Sequence, residues 1–156
     1  MQTIDIHMSV RGAVDDALAR GLAIAGLTGV ALIHTLQVPD AFHEIGYLGA
    51  LFIVAAAGCA LLAVGMTRMS DDRIWMAAGA LPGLILIGYL ITHSVGIPGF
   101  TGDVGEWAEP PALAAMIAES TLVALSASVL ASRRAAMAAT DIASPAPVAT
   151  MTQNAA

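Results

Sequence analysis

Four apolar runs divide the chain: about Gly21 to Val38, Ile45 to Met66, Ile74 to Ile97, and Pro111 to Ala131. Each is close to the ~20 residues that cross ~30 Å of hydrocarbon at ~1.5 Å per residue. None alternates apolar and polar residues with the period of two that a barrel strand needs, and hydrocarbon offers no partner to free backbone polar groups, so each run is predicted to be helical. The pattern predicts an all-α fold, a four-transmembrane-helix bundle over residues 21–132, with an N-terminal segment 1–20 and a tail 133–156 outside it. The first run is not read as a cleaved leader. Asp15 and Asp16 precede it, and Val38-Pro39-Asp40 follows in place of a small-x-small cleavage site.

The polar breaks give the runs a direction. Arg11 and Arg20 precede run one, Arg68 and Arg73 separate runs two and three, and Arg133 and Arg134 follow run four, so four alternating crossings put all six on one side. The other two loops, Pro39 to Glu44 and Pro98 to Pro110, carry Asp40, Glu44, Asp103, Glu106 and Glu109 and no arginine. The positive-inside rule then predicts both termini in the cytoplasm and a multi-pass protein of the plasma membrane. Trp75 and Trp107 fall at opposite interfaces. Ser9 to Arg20 is expected to form a short interfacial helix capped by Ser9, and the Ala-, Thr-, Ser- and Pro-rich stretch from Ala135 onward to be disordered.

Composition agrees with a lipid-facing chain: 58% of residues are hydrophobic against 12% charged, which a soluble core of 156 residues could not absorb. Lysine is absent and the arginines do not cluster, so nucleic acid is excluded as a partner. The expected partners are the bilayer itself and a second copy or a larger membrane complex. Cys59, the single cysteine, lies inside run two and reads as a packing residue. Small residues in run two (Gly46, Gly49, Ala55 to Gly58, Ala60) and Gly79-xxx-Gly83 in run three are expected to line helix contacts, with Pro82 kinking run three.

Depth turns the remaining polar residues into a pattern. His34 and His93 lie one turn inside the outer ends of runs one and three, His43 and Glu44 open run two, and Glu119 lies about 12 Å into run four. A carboxylate at that depth, ionised and unpaired, costs a few kcal/mol, so Glu119 must face the bundle interior, hold a proton or have a partner. Imidazole and carboxylate suit a divalent metal ion, which His34, His93 and Glu119 would hold with His43 or Glu44 at the rim. No HExxH or ExxH spacing accompanies them. A plainer reading has the histidines bonding to backbone or headgroups, His43 and Glu44 solvated, and Glu119 a protonated packing residue.

Runs one and three both read G-x4-H-x4-P, Gly29 to Pro39 and Gly88 to Pro98. A duplicated hairpin would bring the two histidines to equal depth, a geometry that also suits bis-histidine haem b. Redox chemistry on haem, or a proton or small-substrate pathway through Glu119, is therefore the alternative to an accessory or ligand-binding role. Nothing in the chain points to an enzyme: it has no P-loop, no dinucleotide fingerprint and no nucleophile elbow.

Leu36 to Glu44, Gly49 to Phe52 and Val95 to Trp107 resemble a group of small four-span membrane proteins of actinobacteria, and the resemblance covers most of Gly21 to Ser132. It implies the four-span topology and supplies no catalytic residues, since the group has no established activity. In that group the position of His93 can hold arginine, which weighs against the haem reading and the repeat.

Overall fold

The computed structural model describes residues 2–143, with side chains over 15–142. It is all-helical: α1 (Gln2–Glu44), α2 (Gly46–Arg68), α3 (Asp72–Val95) and α4 (Pro110–Ala143). All four are long and apolar enough to cross a membrane. The 23 residues of α2 span about 35 Å. Leu22, Leu32, Leu36, Leu61 and Ile117 point outward and are more than half exposed, as lipid-facing side chains would be. Successive helices pack side by side and α4 closes back on α1, while α1 and α3 barely touch across the middle. The result is a four-cornered up-and-down bundle.

Two boundaries differ from the sequence expectation. α1 passes through Arg20 without a break and continues across Pro39 to Glu44, so His43 and Glu44 end the first helix instead of opening the second. Pro39 removes one backbone donor, but the turn after it closes through Ile45 N to Ala41 O at 3.1 Å. Phe42 then folds over Gly49, where any side chain would overlap its ring, and this pins a corner of a single residue, Ile45. At the other end α4 runs to Ala143, so residues 135–143 of the expected disordered tail are helical; alanine, the strongest helix former, fills five of those nine positions. The rest of that tail lies outside the described residues.

Each helix buries a narrow stripe. On α4 it is Ala112, Ala115, Glu119, Leu122 and Ser126, a spacing of alternating three and four, and on α1 it is Ala23, Leu27, Val30, His34 and Ala41. Small residues set the approach, as expected. A side chain at Gly79 would meet Ser126 Cβ at 2.8 Å across the α3–α4 contact, and one at Gly58 would meet Leu81 Cδ2 at 2.8 Å across α2–α3. Gly46, by contrast, faces open space. Cys59 is fully buried. Pro82 sits inside α3, also fully buried.

The apolar core lies toward the arginine end, where Leu27, Cys59, Met66, Trp75, Ala78 and Leu122 pack together. Trp75 belongs to this core and is fully buried, so it is not an interfacial anchor. Arg133 lies over its ring, 5.8 Å from the centroid, and also donates to Ser70 O, Asp72 and Asp16 at 2.8–3.0 Å. Arg20 donates to Met66 O and Met69 O at the end of α2. Two arginines thus tie all four helices together and satisfy carbonyls that the end of α2 leaves free.

Candidate functional site, a cavity at the arginine-free end

At the opposite end the helices do not close. A cavity of about 870 Å³ occupies that half of the bundle, with walls from all four helices. α2 and α3 approach each other at Gly58–Leu81 and Gly65–Ile74, and from Leu81 onward both line the cavity. The roof is the connection 96–109, which folds back on the end of α3. Ile97 and Phe100 exchange backbone bonds of 2.9 Å around Pro98-Gly99, where φ of +82° at Gly99 makes a type II turn that disfavours any other residue. Gly105 N donates to His93 O at 3.0 Å, and Tyr47 Oη donates to Pro98 O at 2.7 Å, joining the roof to α2.

Three of the five residues singled out in the sequence reach the cavity deeply buried: His34, His93 and Glu119 are 5%, 6% and 2% exposed and all line it. Glu44 lines the mouth, together with Asp40, Asp103 and Glu109. His43 is exposed and takes no part in the lining. His34 Nδ1 lies 3.0 Å from Val30 O. A carbonyl accepts only, so Nδ1 carries a proton, and in the neutral ring Nε2 is an acceptor. That Nε2 is 3.9 Å from Glu119 Oε1. Three buried side-chain polar atoms lack a partner among the described residues, Trp75 Nε1, Ser126 Oγ and Glu119 Oε1, and only the last belongs to a residue of the cavity wall.

His93 bonds in the same manner, Nδ1 to Tyr89 O at 3.0 Å, so the two G-x4-H-x4-P segments share one local geometry. Their surroundings differ. The His93 ring stacks on Tyr89, with centroids 4.0 Å apart, and leans on Trp107 at 5.7 Å, whereas His34 leans on Phe52 at 5.1 Å. The expected shell of His34, His93 and Glu119 with His43 or Glu44 does not assemble: among the described residues no three His, Cys, Asp or Glu side chains come together as a metal site. His93 is held instead against Tyr89 and Trp107, and His43 is exposed at the end of α1. What remains of the cluster is the His34–Glu119 pair.

Tyr89, Phe52 and Tyr47 shape this end and were not singled out from the sequence, and Trp107, which joins them, reads there only as an interfacial residue. Tyr89 had a signal, since it stands four residues before His93 on the same helix face. Trp107 had none, because a backbone turn brings it there. No protein-family model matches the chain, and no curated protein or solved structure is similar to it.

Proposed function

We propose that the protein is a non-enzymatic, ligand-binding component of the plasma membrane that holds the polar end of a small organic molecule between His34 and Glu119. The observation that carries this reading is Glu119 Oε1, buried without a partner on the wall of a cavity, with an acceptor nitrogen 3.9 Å away. At 3.9 Å neither group satisfies the other, and an unmet buried polar group is costly enough to select a ligand that reaches both. The arginines at one end support an orientation in which both termini are cytoplasmic and the cavity opens toward the outer face.

Native mass spectrometry of detergent-purified protein tests the reading. One small organic molecule per chain is expected on the wild type, lost in Glu119→Gln and weakened in Met116→Trp, which narrows the cavity. A protein that carries no such mass under any gentle extraction overturns it. Elemental analysis and an optical spectrum of the same sample separate the alternatives. A stoichiometric divalent metal or a Soret band would replace the organic ligand with an ion or with haem b.

A second reading rests on the same pair: the 3.9 Å gap lets one proton pass between Glu119 and His34 with a small movement of either side chain. Proton flux in liposomes that is unchanged by Glu119→Gln ends that reading.

A further inference from the structure

The cavity has two openings, and their chemistry differs. The first is the aqueous mouth. Among the described residues the lining carries five carboxylates, Asp40, Glu44, Asp103, Glu109 and Glu119, and no arginine. Such a mouth concentrates cations and repels anions before any contact is made. The second opening is lateral. Leu51 and Val54 of α2 and Leu84 and Ile91 of α3 all line the cavity, and they are exposed by 56%, 65%, 65% and 46%. These two helices touch least among the sequential pairs. Their gap is framed below by Gly58 against Leu81 and above by the bond from Tyr47 to Pro98. Between Tyr47 and Gly58 it is about 16 Å tall, enough for a hydrocarbon chain to lie through an apolar frame that faces the bilayer.

The polar seat selects among cations. An ammonium nitrogen about 2.8 Å from both Glu119 Oε1 and His34 Nε2, which are 3.9 Å apart, would see the two acceptors about 90° apart, within reach of two of its N–H bonds, and since Oε1 is fully buried the Glu119 side chain turns toward the cavity to receive it. Its charge cancels that of the carboxylate, so the occupied site is neutral at a depth where a lone carboxylate is unfavourable. A quaternary ammonium has no N–H to give, and a carboxylate would add a sixth negative group. A metal ion finds no shell of three His, Cys, Asp or Glu side chains among the described residues.

We propose that the cavity binds a long-chain primary amine from the bilayer, its ammonium between Glu119 and His34 and its hydrocarbon chain leaving through the gap between α2 and α3. The inference rests on the ligand-binding reading given above and names the class of ligand.

Equilibrium binding of radiolabelled dodecylamine, dodecanol, dodecanoic acid and dodecyltrimethylammonium to the full chain in phosphatidylcholine nanodiscs tests it, with partition into empty nanodiscs subtracted. Dodecylamine is expected to saturate at one per chain and to bind at least tenfold tighter than the other three. Glu119→Gln should weaken the amine at least tenfold, toward the alcohol. Val54→Trp with Leu84→Trp should slow its association severalfold. Dodecylamine binding no tighter than dodecanol, or as tight in Glu119→Gln as in wild type, overturns the proposal. Saturable binding of the alcohol or acid instead leaves a ligand site that is not an amine site, whereas the loss of every bound mass in the native spectrum overturns the ligand-binding reading itself. Should Glu119→Gln fail to fold, the comparison of four probes on the wild type decides alone.

Discussion

At the arginine end of the bundle, Arg133 and Arg20 donate to two carboxylates and three carbonyls above a core that contains Trp75, fully buried. At the other end the same four helices enclose about 870 Å³, rimmed by carboxylates and floored by an unpartnered one. The difference begins in glycine placement. Gly58 and Gly65 let Leu81 and Ile74 approach α2 on the arginine side, and nothing comparable draws the helices together above Leu81. One half is therefore built for packing and the other for leaving room, and substitutions should separate them.

The largest contrast is in side-chain truncation. Trp75→Ala and Leu27→Ala, both at fully buried positions, are expected to cost ~3–5 and ~2–5 kcal/mol respectively. Leu84→Ala on the cavity wall, 65% exposed, should cost less than ~1 kcal/mol. Reversible unfolding in mixed micelles measures all three. Equal losses at both ends would mean that the cavity collapses around its walls and is not a persistent space.

Glycine substitution gives the next largest effect. Gly79→Ala places a Cβ 2.8 Å from Ser126 Cβ and is expected to lose ~1–3 kcal/mol by forcing α3 from α4. Gly88→Ala, on the same helix beside the cavity, meets nothing within 4 Å and should be neutral or slightly stabilising. The same denaturation series ranks them, and a reversed order would show that α3 packs through its other face.

Arg133→Met tests the knot at the arginine end. It removes bonds to Ser70, Asp72 and Asp16 and the contact with Trp75, but the two carboxylates are about four-tenths exposed and can rehydrate. The expected loss is ~1–2 kcal/mol, shrinking with added salt. A variant as stable as wild type at low salt would reduce the knot to surface decoration.

The smallest effect is at the roof. Tyr47→Phe deletes one bond, to Pro98 O, for ~0.5–1 kcal/mol. Its consequence should be local: hydrogen exchange is expected to quicken over 96–109 and to stay unchanged over Arg20 and Arg133. Exchange that rises equally at both ends would tie the roof to the core and erase the contrast between them.

Much of the architecture is legible in the residues, because membrane crossing is decided by length and hydropathy and by the lack of any backbone partner in lipid. The four helices fall where the apolar runs do, and the depths of His34, His93 and Glu119 follow from counting along helices. The boundaries at Glu44 and Ala143 do not follow so directly. Proline inside α1 is tolerated where the following turn closes, and an alanine-rich stretch carries α4 past its apolar run, so the end of the apolar run does not mark the end of the helix. Trp75 shows the same limit. An aromatic residue near the end of a span reads as an anchor, and only the rotation of α3 turns it into the core.

By itself, the sequence determined that this chain is helical, how many of its helices can cross a bilayer, and that an ionisable group from α1, α3 and α4 lies in one half of the bundle. Tertiary structure alone decided which of those groups meet. A pair such as His34 and Glu119 depends on the rotation and separation of two helices 85 residues apart in the chain, and these are set by small-residue contacts in the other half of the bundle. Depth is a property of one helix and can be counted. Convergence is a property of several, and only their packing fixes it.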